Sequence, residues 1–227
     1  MKKIGIIGAL PVEIQLLKAE MNIQNTTTVA GRTFFEGVLG GVNVVITQSG
    51  IGKVNAASCA QVLASVFGVE MLINTGIAGA LGGGVDVCDM VVSKSLVYHD
   101  FNADFVRIGI SNFEAFEADE KMAVLAKEVC ESFEDNAKVH FGRIATGDEF
   151  VCERESKNAI FAKTNALCVE MEGAAIAHVA CVNKIPFVVL RCISDNADDN
   201  AEMTYEEFEP IAANKCAKIL IEILKKI

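Results

Sequence analysis

Five consecutive apolar residues, Pro186-Phe-Val-Val-Leu190, show no alternation between apolar and polar positions. A strand of that kind is buried on both faces, as in a largely parallel sheet covered by helices on either side. The rest of the chain agrees. Strand-like and helix-like stretches alternate along it, the order expected of an α/β layer architecture.

In chain order, Lys3–Gly8 reads as a strand and Pro11–Met21 as a helix with proline in its first turn. Arg32–Thr47 reads as two strands joined through Gly40-Gly41, and Asn55–Phe67 as a helix. Glu70–Asn74 and Asp89–Tyr98 are strand-like, separated by a flexible stretch, Gly76–Gly84, that holds five glycines. A polar-faced helix over Asp119–Glu134, a strand over Val139–Ala145 and a helix near Glu155–Lys163 follow. Strands at Ala166–Val169 and Pro186–Leu190 bracket a helix over Gly173–Val182, and a helix over Tyr205–Ile227 closes the chain. Residues 99–118 have the least regular pattern and are expected to form a mobile loop. With 227 residues, 52% of them hydrophobic, the chain can bury one large core, so residues 1–227 are expected to form a single domain.

Two acids stand where buried strands end: Glu172 after Ala166-Leu-Cys-Val169, and Asp195 after Pro186–Leu190. Open α/β sheets bind ligands at the carboxyl ends of their strands. Two carboxylates delivered there, beside Met171 and Ser194, suit a pocket that holds a polar small molecule and moves protons.

The net charge of −10 argues against nucleic acid or an anionic membrane as partner, since both need clustered Lys and Arg. A neutral or cationic ligand fits better. The eight cysteines form no CxxC pair and fall mostly in apolar segments, as buried thiols of a reduced, cytoplasmic protein would. The basic-then-apolar start, Met1-Lys-Lys-Ile-Gly-Ile-Ile-Gly-Ala-Leu10, is cut short by Pro11-Val-Glu13, too early for a secretion signal. No other stretch approaches a membrane span.

Several motifs fail on spacing. Gly5-Ile-Ile-Gly8-Ala9 lacks the GxGxxG pattern, and Glu13 in the next helical turn would repel a pyrophosphate, so no nucleotide cofactor is expected. Thr47-Gln-Ser-Gly50-Ile-Gly52-Lys53 is followed by Val54 where a P-loop needs Ser or Thr; its turn could still aim free helix N–H groups at a ligand. The histidines at 99, 140 and 178 lack metal-ligand spacing, so no metal is expected. Ser49 and Ser194 lack the GxSxG elbow. Gly147-Asp-Glu-Phe-Val151 follows a buried strand, where Phe150 either stacks on an aromatic base or fills the core.

Six segments taken together, Gly5-Ile-Ile-Gly-Ala-Leu-Pro-Val-Glu13, Ser49-Gly-Ile-Gly-Lys53, Asn74-Thr-Gly-Ile-Ala-Gly79, Ala145-Thr-Gly-Asp-Glu-Phe150, Val169-Glu-Met-Glu-Gly-Ala174 and Ile193-Ser-Asp-Asn-Ala-Asp198, resemble the bacterial 5′-methylthioadenosine/S-adenosylhomocysteine nucleosidases, collinearly and over nearly the whole chain. The resemblance implies a mixed central β-sheet flanked by helices, a nucleoside phosphorylase-like three-layer sandwich, working as a homodimer on a small nucleoside and water without a cofactor. It implies Asp195 as the acid that protonates adenine N7, Glu13 as the group acting on water, and Met171 and Glu172 as the ribose anchors. It further implies Phe150, the Val151 backbone and Ser194 around the base, and Leu10, Ile51 and Tyr205 along the 5′-thioalkyl group. Ala78-Gly79 would lie close to sugar and base, Glu170 would support the sugar site, and Arg191 would lie near the water. The chain departs from the pattern in two places. Ile77 stands where many relatives carry Ser, and the segment after Tyr98-His-Asp100 lacks their Gln-x-Pro-Gly loop.

The chemistry of the acids agrees with that resemblance. An adenine leaving group needs a carboxylic acid kept protonated by a sheltered site. The sugar left behind is oxocarbenium-like and is stabilised by an anion at the ribose. Two alternatives remain: a nucleoside phosphorylase on the same fold, and a nucleoside-binding protein without turnover. The first needs several cations converging on phosphate, whereas this chain has five arginines and places Glu13 at the nucleophile.

Overall fold

A computed structural model describes residues 3–82, 84–110, 113–133, 137–198 and 201–227, with the side chains of 202–204 excepted. Ten strands and seven helices alternate through these residues. The strands are β1 Lys3–Gly8, β2 Asn22–Val29, β3 Arg32–Leu39, β4 Val42–Gln48, β5 Met71–Ala80, β6 Met90–Tyr98, β7 Phe116–Glu117, β8 Val139–Thr146, β9 Cys168–Glu170 and β10 Phe187–Asp195. The helices are α1 Pro11–Glu20, α2 Lys53–Ser65, α3 Ala103–Gly109, α4 Glu120–Glu131, α5 Arg154–Thr164, α6 Gly173–Asn183 and α7 Ala201–Leu224.

All strands belong to one mixed sheet, ordered β10-β6-β8-β9-β5-β1-β4-β3-β2, with β7 paired to β6. A further pairing, β10 to β5, closes the first five strands of that order into a ring. At the centre β1, β5 and β10 run parallel, so their carboxyl ends open on the same edge. β10 is buried along its whole length, as its unbroken apolar run requires.

Helices cover both faces. Ile4 and Ile6 of β1 pack with Ile14 and Leu17 of α1 and with Leu220 and Ile223 of α7. On the other face, Ile7 joins Ala56, Cys59 and Leu63 of α2 and Ala174 and Ala177 of α6. Successive strand residues point to opposite faces, which is how one short strand serves two cores. Five of the eight cysteines are buried, in keeping with their apolar surroundings. Among the described residues no helix is long and apolar enough to cross a membrane.

The structure differs from the sequence expectations in five places. The first part of the expected flexible stretch Gly76–Gly84 is strand, because β5 runs through Gly76 and Gly79 to Ala80; Gly82 and Gly84 follow it, and Gly83 lies outside the described residues. Gly76 and Gly79 sit in extended strand with side chains of neighbouring elements pressed against them. Asn22–Val29 forms an edge strand that its polar composition hid. Residues 99–118 contain α3 and β7, Asn102 capping α3 through the Asp104 N–H at 2.9 Å; Ser111 lies outside the described residues. The last helix begins at Ala201 and carries Pro210 inside it. α4 ends at Glu131, and Glu134 lies outside the described residues.

Candidate active site

Glu13 is the third residue of α1, and its side chain turns back over the start of that helix. Oε2 accepts from the Ala9 and Leu10 N–H groups at 2.6 and 2.9 Å, and Oε1 accepts from the Ile77 N–H at 3.1 Å. The first amides of a helix have no internal partners and favour an anion, so Pro11 at the start and Glu13 one turn in are a matched pair. Glu13 is buried, and burial pushes its carboxyl above the usual range against the pull of Arg191 and the three amides.

Arg191, from the middle of β10, is 1% exposed and stands beneath the acids. Its Nη2 donates to Asn74 Oδ1 at 2.5 Å, pairs with Glu170 Oε2, and lies 3.9 Å from Glu172 Oε2. The Glu170, Glu13 and Glu172 carboxylates hold the guanidinium above its already high range, more than offsetting burial. Glu170 also accepts from the Glu172 and Gly173 N–H groups at 3.0 and 2.7 Å, which cap α6, and from the Thr146 hydroxyl. One buried cation therefore serves three buried carboxylates.

Glu172 is the residue before α6 and accepts from the Gly52 N–H at 2.7 Å. Burial first, then the neighbouring Glu170, push its carboxyl up to about 8, with Arg191 pulling the other way. The α2 turn thus does not offer its first two amides to a ligand: Gly52 N–H is held by Glu172 and Lys53 N–H by Asp148.

Asp195 ends β10, where the register against β5 shifts between Ile193 and Asp195. Such a bulge re-aims side chains at a strand end. Its Oδ1 accepts from the Ala197 N–H and its Oδ2 from the Ser194 hydroxyl, both at 2.8 Å. Burial raises its carboxyl above the usual range. A Cβ on Gly79 would stand 2.7 Å from Asp195 Oδ1, so only glycine lets the acid settle there.

A cavity of about 490 Å³ opens over these groups, the size of a small-molecule site. Glu13, Glu170, Glu172 and Asp195 line its deep part, with Ala78, Gly79, Met171, Val151 and Ser194. Leu10, Ile51, Phe150 and Tyr205 line it as well; Ile51 and Phe150 are exposed at its mouth, and Phe150 meets Tyr205 edge-on at 5.5 Å between ring centroids. Arg191 does not line the cavity; it supports the floor through Glu170 and Glu172.

The phosphorylase superfamily profile matches residues 3–225. A curated 5′-methylthioadenosine/S-adenosylhomocysteine nucleosidase of Haemophilus influenzae (strain PittEE) is 39% identical over 232 residues, covering 99% of this chain and 100% of the relative. The enzyme of that name from Staphylococcus carnosus (strain TM300) is 39% identical over 233 residues, again over 99% and 100% of the two chains. This chain belongs to the 5′-methylthioadenosine/S-adenosylhomocysteine nucleosidase family.

Solved nucleosidase structures superpose over its whole length. The Neisseria meningitidis nucleosidase in complex with methylthio-immucillin-A has a TM-score of 0.93 at 35% identity, covering 100% of both chains. The Streptococcus pyogenes nucleosidase in complex with 5-methylthiotubericidin has a TM-score of 0.91 at 35% identity, covering 100% of this chain and 97% of that one. In the present nucleosidase, sequence reading missed Ala9, Glu149, Val169 and Glu206 as cavity walls. Each directly neighbours a residue that was named, and that adjacency is the signal that could have found them. Ile77, seen in the sequence only as a departure, lines the cavity and donates its N–H to Glu13.

Proposed function

We propose that this protein hydrolyses the N-glycosidic bond of 5′-methylthioadenosine and S-adenosylhomocysteine, releasing adenine and the 5-thioribose sugar; 5′-deoxyadenosine is taken as a further substrate. Asp195 donates a proton to adenine N7 as the bond lengthens, and burial raises its proton affinity, the direction that an acid in this place needs. Glu172 and Met171 hold the ribose hydroxyls, and Glu170 fixes Glu172 through the backbone. Glu13, whose carboxylate form three amides favour, takes a proton from water as that water attacks the anomeric carbon. Phe150, Val151 and Ser194 frame the base, Ala78-Gly79 pass beside base and sugar, and Leu10, Ile51 and Tyr205 receive the 5′-thioalkyl group.

One observation carries water over phosphate as nucleophile: among the described residues the cavity is lined by six acidic side chains and by no Lys, Arg or His. A phosphorylase needs cations converging on its phosphate, and Arg191 is already taken by Glu170 and Asn74 beneath the floor. The test is adenine release from methylthioadenosine, adenosylhomocysteine, 5′-deoxyadenosine and aminodeoxyfutalosine, each with and without phosphate. Release that requires phosphate would make the protein a phosphorylase, and tight binding with no release would make it a nucleoside-binding protein.

The same reading takes the enzyme as a cytoplasmic homodimer. Cysteines without disulfides support a reduced compartment. The exposed apolar side chains of Val54, Phe101, Phe105 and Ile108 support a second copy as their cover. Sedimentation at micromolar concentration tests the dimer.

A further inference from the structure

Two consecutive amides at the start of α2 are divided between two carboxylates. Gly52 N–H donates to Glu172 Oε1 at 2.7 Å, inside the cavity, and Lys53 N–H donates to Asp148 Oδ1 at 2.8 Å, outside it. Asp148 is itself held: its own N–H donates to Asp100 Oδ2 at 2.9 Å. Lys53 Nζ lies 2.5 Å from that same Asp100 oxygen and 3.6 Å from Asp148 Oδ2. The carboxylate also packs on the turn, since a Cβ on Gly52 would stand 3.1 Å from Asp148 Oδ1. Gly52 has φ +96°, a conformation open to glycine, so the turn that presents both amides depends on that residue.

Asp148, Lys53 and Asp100 do not line the cavity, yet Glu149, next to Asp148, and Ile51, next to Gly52, do. We infer that Asp148 is a positioning residue for Glu172: by holding the Lys53 amide it fixes the α2 turn, so that the adjacent Gly52 amide stays on the Glu172 carboxylate. The inference rests on the reading of Glu172 as ribose anchor. Glu172 faces Glu170 from β9, Arg191 from β10, Glu13 from α1 and the Gly52 amide from α2. Of these, only the amide can be withdrawn without changing a side chain beside the acids. Withdrawing it leaves the Glu172 anion with one donor fewer, so its proton is held more tightly and the ribose is gripped less well.

The test compares Asp148→Ala with Asp148→Asn, whose side-chain carbonyl still accepts from the Lys53 N–H. Adenine release from methylthioadenosine is followed for kcat and KM between pH 5 and 9, with a thermal melt of each variant. Asp148→Ala is expected to raise KM about tenfold, the scale of one hydrogen bond to a charged group, with a much smaller change in kcat. The acidic limb of its kcat/KM profile is expected to move to higher pH, and Asp148→Asn to return KM and limb to near wild type. If Asp148→Ala does not fold, Asp148→Ser, too short to reach the amide, carries the same expectation. A wild-type KM and an unmoved limb in Asp148→Ala would overturn the inference, as would Asp148→Asn being impaired equally. Wild-type protein that releases no adenine would instead overturn the proposed function.

Discussion

The Glu13 carboxylate occupies the space that a side chain on Gly76 would need. A Cβ at position 76 would stand 2.3 Å from Glu13 Oε1 and 2.7 Å from Arg191 Nη1. Gly76→Ala must therefore push one of two buried charged groups aside. Such overpacking costs about 1–3 kcal/mol, and a shift of about 1 Å at Glu13, the proposed base, is expected to lower kcat by about a hundredfold. Denaturant melts and adenine release, measured on the same preparation, check both numbers.

Asp195→Asn keeps the acceptor for the Ala197 N–H but has no acidic proton to give. Its kcat is expected to fall by about 10²–10⁴-fold, the range supplied by general acid catalysis, while nucleoside affinity stays close to wild type. Calorimetric titration with methylthioadenosine beside a turnover assay separates the two; wild-type turnover in this variant would remove Asp195 from its role.

Glu13→Gln fills the same volume without the carboxylate to which the proposal gives the proton from water. Hydrolysis is expected to drop by about 10²–10⁴-fold and binding to survive, because the proposed ribose and base contacts lie on other residues. A variant that binds weakly but turns over at the normal rate when saturated would place Glu13 in binding instead.

Arg191→Met strands Glu170, Glu172 and Glu13 without their shared cation. Removing one partner of a buried ion pair costs about 3–5 kcal/mol, so the variant should melt far below wild type near neutral pH and recover partly in acid. A wild-type melting curve at pH 7 would contradict the account of the floor.

Glu172, raised from the usual 4.5 to about 8, ties stability to pH. Between those values the folded state binds a proton that the unfolded chain has released, so this contribution is full below about 4.5 and is lost as pH climbs towards 8. Each tenfold change in proton affinity is worth about 1.4 kcal/mol, and Tm moves roughly 2–4 °C per kcal/mol in a chain of this size. The ligand-free protein should melt several degrees lower at pH 8.5 than at pH 5.5, and Glu172→Gln should flatten that slope.

Sequence pattern captured what depends on local periodicity. Pro186–Leu190 announced a strand buried on both faces, and the acids at Glu172 and Asp195 announced which edge of the sheet to search. Pattern misled wherever a distant side chain decided the conformation. Gly76 and Gly79 read as flexible because glycine usually marks a turn, yet they are strand residues kept bare for Glu13, Arg191 and Asp195. The pairing of Arg191 with Glu170 and Asn74, off the cavity lining, also depends on the three-dimensional arrangement and has no local signal. The edge strand Asn22–Val29 escaped because its pairing with β3 holds it in place while little of it is covered, so no apolar face marks it in the sequence.

The pairing of β10 with β5, where Phe187 meets Leu72 and Asp195 meets Gly79, joins segments far apart in the chain. Contacts of such long separation form slowly, since loop closure must precede the pairing that rewards it. Asp195, Arg191 and the wall at Ala78-Gly79 all depend on that one seam. During refolding from denaturant, activity should therefore return with the slowest phase, after helical signal has been regained, and a chain that has built its helices is not yet an enzyme.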